Sequence, residues 1–491
     1  MTAAVDSKGR PASIGRGEVD WRTVESVHLI AVAGVGMTGL AGLLKARGFG
    51  VRGSDEHVYP PMSDVLDDLG IEILEGFRPE NLDPRPDLVI VGNKISRGNP
   101  EAEALLESNL PYRSMPSALG ELFLTDKRSL VVAGTHGKST STAMLATVLR
   151  SAGRDPSMMV GGHALDFGGN FTLGAGPHFA IEGDEYDSAF FDKRPKFVHY
   201  RPDAAILTAV EFDHADIYAD LDSIKSSFRE FVELLPRDAP LVVNANFPHA
   251  VEIAGEAVHC RVEYYAGENA EWVYDSLRDT GERTVFRVRH GGVEEGEVAL
   301  RSPGTINVWN AMGVYVLARV EGLSHAEAAA GLESFRGVAR RQELVGVFAG
   351  VTLIDDFAHH PTAVEGVLGA LRERYPGSRL WALFEPRSNT SRRSVFQEDY
   401  ARALGRADRV VVADVFRKQT DVVDSEHELS TERLVRDLRQ GGGDAAVAED
   451  AAAVSTIVLE QARAGDVVVM MSNGAFGGLR GLLESGLCSR R

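Results

Sequence analysis

Short apolar runs alternate with helix-period segments along most of the chain, in three successive series. The first series opens with the apolar run 27–33, which leads into Gly34-Val35-Gly36-Met37-Thr38-Gly39 and an Ala/Leu-rich segment, 40–47. Further apolar runs follow at 50–52, 71–74 and 87–91, with helix-like segments between them. The second series starts at 129–132, crosses a glycine loop into the helix-like 141–150, and continues with runs at 179–182, 204–208 and 241–244. A β-rich patch over 262–289 and a helix from near Asn307 through Ala318 complete it. The third begins near Gly337, with strand candidates at 351–354, 379–384, 409–412 and 466–470, and helices over 361–372 and 430–440. Strands alternating with helices predict parallel sheets covered on both faces.

The loop of the second series is the most specific signal. Val131-Val132-Ala133-Gly134-Thr135-His136-Gly137-Lys138-Ser139-Thr140 places glycines, a lysine and two hydroxyls between an apolar strand and a helix. Glycines let backbone N–H groups approach phosphate oxygens, Lys138 adds a mobile cation, and Ser139 can reach a phosphate-bound Mg²⁺. A nucleoside triphosphate site is expected at Gly134 to Thr140. Val132 stands where the longer P-loop has its first glycine, so this is the shorter Gly-x-x-Gly-Lys-Ser form. The expected fold is α/β with three domains. A flexible tail (1–22) precedes a Rossmann-like N-terminal domain (23–125). A central P-loop ATPase-type parallel sheet (126–336) and a Rossmann-like C-terminal domain (337–491) follow.

Composition narrows the partners. A chain of 491 residues is too long for one core. Its formal net charge of −19 argues against nucleic acid, which needs a basic face. An anionic small molecule in a locally positive cleft remains allowed. The two cysteines, Cys260 and Cys488, form no disulfide or metal framework and suit a reducing cytoplasm. No membrane span is expected, because no window of eighteen residues is uniformly apolar, and the polar start of the chain does not read as a secretory signal.

Other motifs sit at predicted strand ends, where parallel sheets open their ligand crevice. Gly34-x-Gly36-x-x-Gly39, with Asp55 twenty-one residues beyond the first glycine, has the pattern of a dinucleotide fingerprint. Any diphosphate, including that of a nucleotide sugar, suits such a helix N-terminus. On this motif alone a nicotinamide-dependent dehydrogenase is an alternative, but it leaves the second loop unexplained. A non-catalytic nucleotide- or UDP-sugar-binding regulator is another. The cluster Glu182-Gly183-Asp184-Glu185-Tyr186-Asp187 could hold Mg²⁺ through carboxylate oxygens, with Glu182 the first candidate. His214, in Glu211-Phe212-Asp213-His214, could bind a second cation as neutral imidazole. Asn307 and Asn310 open a helix, and their amides match an adenine edge. Arg341 suits a transferring phosphoryl group. Asp356, His359 and Pro361 mark a strand-to-helix turn. Arg387, at the end of the run 379–384 and followed by Ser388 and Asn389, could hold a carboxylate bidentately.

Together, the order of these motifs resembles the Mur ligase family, over nearly the whole chain beyond the tail. The resemblance implies ATP-dependent amide-bond formation on UDP-N-acetylmuramate. It implies that Lys138, Glu182 and His214 are catalytic, and that Ser139, Glu182 and His214 hold Mg²⁺. It gives ATP to the phosphate loop, Asn307, Asn310, Arg341 and Asp356, and the UDP-sugar to Gly34, Gly36, Met37, Gly39 and Asp55. Ile306 stands where a His is common. Arg229, fifteen residues after His214, stands where many members carry a carbamoylated lysine, so none is assigned. The stretch from Glu182 to Tyr200, with Arg97-Gly98-Asn99-Pro100 and Glu385-Pro386-Arg387-Ser388-Asn389-Thr390, is most similar to the branch that attaches L-alanyl-γ-D-glutamyl-meso-diaminopimelate, a tripeptide recycled from muropeptides. Arg387, Ser388, Asn389 and His359 are the implied peptide contacts. The branch adding L-alanine alone is the alternative.

Overall fold

The computed structural model describes residues 15–59, 62–215, 217–417 and 427–490. Three sheets follow one another along the chain. The first contains β1 (Gly15–Arg16), β2 (Ser26–Ile30), β3 (Gly50–Asp55), β4 (Glu72–Glu75), β5 (Leu88–Val91) and β6 (Tyr112–Ser114), in the order β1-β6-β5-β2-β3-β4. All pairs are parallel except β1 on β6. All four residues of β5, Leu-Val-Ile-Val, are buried, as expected of a strand covered on both faces. Most of the predicted tail, 1–14, lies outside the described residues. Gly15 and Arg16 pair with Arg113 and Tyr112, so this part of it belongs to the first sheet.

The central sheet has ten strands. They are β7 (Arg128–Ala133), β8 (Ser157–Ala164), β9 (Gly169–Thr172), β10 (His178–Gly183), β13 (Ala204–Leu207), β14 (Pro240–Asn244), β15 (Arg261–Tyr265), β16 (Trp272–Asp279), β17 (Thr284–His290) and β18 (Val293–Leu300). A separate hairpin joins β11 (Asp187–Ala189) to β12 (Asp192–Pro195). The order β18-β17-β16-β15-β14-β13-β7-β10-β8-β9 puts β7 in the middle, parallel to β10 and β13. The phosphate loop after β7 is therefore flanked by the ends of β10 and β13, which deliver Glu182 on one side and Thr208 to His214 on the other. The β-rich patch read from sequence over 262–289 covers β15, β16 and β17, and the antiparallel meander continues beyond it into β18.

The third sheet runs β19 (Glu343–Phe348), β20 (Val351–Asp356), β24 (Val467–Met471), β21 (Leu380–Phe384), β22 (Arg409–Ala413), β23 (Asp444–Ala448). Only β19 is antiparallel to its neighbour. The loops after β20, β21 and β24 meet at one edge and face the central domain. Thr390 Oγ1 donates to Asp213 Oδ1 (2.6 Å), His360 Nε2 to the Phe212 carbonyl (3.1 Å), and Thr362 Oγ1 to Glu211 Oε1 (3.1 Å). The third domain thus stands closed on the second.

On its other side the central domain is joined to the first by the helix Val35–Ala46. A Cβ at Gly42 would lie 2.0 Å from the Phe171 ring, and one at Gly39 2.9 Å from Asn170 Nδ2. Only glycine allows β9 to come this close. Asn170 Nδ2 completes the seam by donating to the Val35 carbonyl (2.8 Å).

A partly buried ion pair anchors the central sheet at the end of β7 opposite the phosphate loop. Arg128, which opens β7, makes two hydrogen bonds to Glu321 (2.6 and 2.7 Å) at the end of the helix Thr305–Val320. Burial opposes Glu321 ionisation, but His178 and Arg128 hold its pKa down at about 2. A depressed carboxylate stabilises the fold above its unfolded pKa of ~4.3, and the benefit is lost as pH falls through the folded value. Glu321→Gln is expected to lower the urea midpoint clearly at pH 7, with the gap to the native protein shrinking between pH 4.5 and 2. A gap independent of pH would show that the charge is irrelevant.

Candidate active site

Gly137, at φ 78°, turns the chain from the phosphate loop into the helix Lys138–Ser151, which has no side-chain cap. Its free first-turn N–H groups and dipole favour an anion there. Gly134 serves close approach, since a Cβ there would sit 2.2 Å from Thr208 Oγ1. Lys138 Nζ donates to the Gly134 carbonyl (2.7 Å) and to Glu185 Oε2 (2.8 Å). Burial works against this ammonium, but Glu185, Asp184 and Glu182 overcome it and hold its pKa above the usual lysine range.

Glu185 is fully buried and bridges two cations, with His214 Nε2 3.1 Å from its Oε1. Burial resists its charge, while Lys138 and His214 bring its pKa to about 2. Despite its own burial, His214 is raised to about 9 by Glu185 and Asp213. In this arrangement His214 Nε2 faces Glu185. Glu182 differs. Its Oε1 accepts from Ser139 Oγ (2.9 Å) and its Oε2 from the Gly161 N–H (2.7 Å), yet burial and the neighbouring Asp184 push its pKa up. Two crowded carboxylates beside a hydroxyl form an oxygen donor set that suits Mg²⁺. Among the described residues, the tight His/carboxylate groupings are His136–Glu211–His360 and Glu263–Glu271–His290. Glu182 and His214 share no such grouping, because His214 is turned onto Glu185 instead.

Three adjoining cavities surround this cluster. The largest, about 590 Å³, is lined by Thr135 to Thr140, Glu182, His214, Arg341 and, from the third domain, His359 and Arg387 to Thr390. Arg341 Nη2 donates to Ser139 Oγ (3.3 Å) across the domain boundary. Arg387 stacks on Phe416 with its guanidinium carbon 3.7 Å from the ring centroid, and Gly474 makes room for it, since a Cβ there would be 2.1 Å from Arg387 Nε. A second cavity, about 110 Å³, lies between Asn307, Asn310, Trp309, Phe247 and Asp356. Burial raises the Asp356 carboxyl to about 6, although it accepts from the Gln342 and Ala358 N–H groups. The third, about 180 Å³, holds Gly34, Gly36 and Met37.

Two sequence-predicted residues do not line that third cavity. Asp55 turns its carboxylate to the Ala33, Glu56 and His57 N–H groups (3.1, 2.9 and 3.4 Å), so it shapes the loop. Gly39 faces Asn170 and serves the domain seam. Conversely, sequence reasoning did not single out Glu185, Thr208 or Lys196. The acidic run contained the first, but nothing local distinguished which carboxylate would meet Lys138.

Known proteins match the chain along nearly its whole length. Three family profiles match in order: the Mur ligase family, catalytic domain over residues 26–127, the Mur ligase middle domain over 132–318, and the Mur ligase, glutamate ligase domain over 340–474. The chain belongs to the Mur ligase family. Members are ADP-forming ligases, and this Mur ligase is one of them. It is 40% identical over 466 residues, 94% of its length and 98% of the relative's, to the UDP-N-acetylmuramate–L-alanyl-γ-D-glutamyl-meso-2,6-diaminoheptandioate ligase of Escherichia coli (strain K12). It is 30% identical over 461 residues, 93% of its length and 97% of the relative's, to the UDP-N-acetylmuramate–L-alanine ligase of Lachnospira eligens. A solved murein peptide ligase from Psychrobacter arcticus matches with a TM-score of 0.71 at 33% identity, covering 95% of this chain and 99% of that one. Among the described residues of this Mur ligase, no helix is long and apolar enough to cross a membrane.

Proposed function

We propose that this Mur ligase joins the tripeptide L-alanyl-γ-D-glutamyl-meso-diaminopimelate to UDP-N-acetylmuramate at the expense of ATP, in the cytoplasm. The observation that carries this reading is the largest cavity, which has the phosphate loop at one end and Arg387 at the other. The higher identity to the tripeptide ligase than to the L-alanine ligase, 40% against 30%, supports the larger acceptor.

An unactivated carboxylate is a poor acylating agent. A muramoyl carboxylate oxygen attacks the γ-phosphorus of ATP, the bond to the bridging oxygen breaks, and ADP leaves with an acyl phosphate formed. The peptide amine then attacks the acyl carbon, loses a proton, and expels phosphate to leave the amide. Lys138 and the loop N–H groups neutralise the transferring phosphoryl, which is mainly an electrostatic task. Ser139 and Glu182 would hold magnesium, and His214 would join them only as a neutral imidazole released from Glu185. The ion would supply charge neutralisation of the phosphate oxygens. Arg341, Asp356 and the third-domain loops close the cavity and keep water from the acyl phosphate. Asn307 and Asn310 take the adenine edge in the second cavity.

The test is ADP release measured side by side with L-alanine and with the tripeptide. Release that depends on tripeptide is expected; equal or faster release with L-alanine would select the other branch. Arg387→Ala should raise KM for the tripeptide at least tenfold, the loss of about one charge-assisted contact, with ATP affinity held within about twofold. Equal losses on both substrates would mean that Arg387 only supports the loop.

A further inference from the structure

The third cavity separates the N-terminal glycine loop from the β11–β12 hairpin of the central domain. Gly34 to Met37 form one wall, and Tyr186, Ser188 and Lys196 face them. Lys196 is the one cationic side chain among the described residues lining it. Its side chain is only 8% exposed, with Nζ 3.1 Å from Asp184 Oδ2 and 4.2 Å from the centre of the Tyr186 ring. Burying a lysine this way costs free energy unless charge is returned to it.

The lysine is held in place from behind. It starts the short turn Lys196–His199, just after β12. His199 Nε2 lies 2.8 Å from Asp192, which also takes two hydrogen bonds from the Arg194 side chain (2.9 and 3.0 Å), and the Ser188 hydroxyl donates to the Arg194 carbonyl (2.8 Å). The first domain seats directly on this turn, because a Cβ at Gly120 would be 2.2 Å from the His199 carbonyl oxygen. Lys196 is therefore fixed relative to the glycine loop opposite.

We propose that Lys196 binds the diphosphate of the sugar nucleotide, sharing it with the glycine loop. The proposal rests on UDP-N-acetylmuramate being a substrate. The helix Val35–Ala46 begins beside the cavity without a side-chain cap and without an acidic residue in its first turn, so its N-terminus favours an anion there. A diphosphate there needs a full positive charge as well. Asp55 does not line this cavity, and the molecule as a whole is acidic. An ammonium has three donors, so Lys196 can keep Asp184 while it serves a phosphate oxygen. Asn93 and Tyr186 line both this cavity and the largest one, so the diphosphate end of the substrate connects to the phosphate loop without a break.

The experiment is calorimetric binding of UDP, UDP-N-acetylmuramate, UMP and a non-hydrolysable ATP analogue to the full chain, to Lys196→Met and to Lys196→Arg. The Met variant should lose on the order of 10- to 100-fold in affinity for both UDP compounds, less for UMP, and stay within about twofold for the ATP analogue. The Arg variant should recover most of the loss. Unchanged UDP binding in Lys196→Met overturns the proposal. So does a loss confined to UDP-N-acetylmuramate, which moves the contact to the lactyl carboxylate. Equal losses for UDP and the ATP analogue reduce Lys196 to a packing role and also overturn it. If the native protein binds UDP but not UDP-N-acetylmuramate, the substrate reading fails while the diphosphate contact is still scored by UDP.

Discussion

Lys138→Ala is expected to cut ADP-forming turnover by about 10²–10³, the typical effect of deleting one preorganised group that stabilises developing charge. Binding of UDP-N-acetylmuramate should persist, since Lys138 does not line its proposed diphosphate site. A second effect accompanies the first. Glu185 is fully buried and its low pKa is owed chiefly to Lys138, so the variant leaves a buried carboxylate with His214 alone. Breaking a buried pair by removing one partner costs about 3–5 kcal/mol. The double variant Lys138→Ala/Glu185→Gln should recover much of the melting temperature and none of the turnover. Turnover within a few-fold of native in either variant would remove the phosphate loop from the mechanism.

Gly137→Ala should raise KM for ATP tenfold or more and destabilise the protein. The left-handed backbone at φ 78° costs a non-glycine residue about 1–2 kcal/mol. The new methyl would also lie 2.3 Å from Asn310 Oδ1, which must move, and Asn310 lines the second cavity. Gly153→Ala separates the two causes. Gly153 has φ +71° and open space around its Cβ, so it carries the strain without the clash. Steady-state kinetics should show Gly153→Ala with a near-native KM for ATP. If both variants shift KM alike, general destabilisation and not the Asn310 clash governs nucleotide affinity.

Local patterns gave most of the fold. The apolar runs at 204–208, 241–244 and 409–412 each became a strand within one residue or so, because a strand buried on both faces must be almost wholly apolar. The phosphate loop was legible for a similar reason: its glycines, lysine and hydroxyls act within ten residues of each other. What sequence could not reveal are pairings set by topology. Glu185 meets Lys138 across 47 positions and Thr390 meets Asp213 across 177, and neither partner carries a local mark. Asp55 and Gly39 fit the fingerprint spacing, yet serve the loop backbone and the domain seam. Both uses need a glycine or an acid at that spacing, so the pattern alone does not separate them.

The Phe171 ring fills the space that a side chain at residue 42 would need. It works as a spacer between the first and central domains, and its bulk sets how closely the helix Val35–Ala46 approaches β9. Bond formation falls off steeply when reacting atoms are misplaced by even an ångström. Enlarging residue 42 or shrinking residue 171 is therefore expected to slow turnover by shifting one domain against the other, with the proposed substrate contacts themselves left in place.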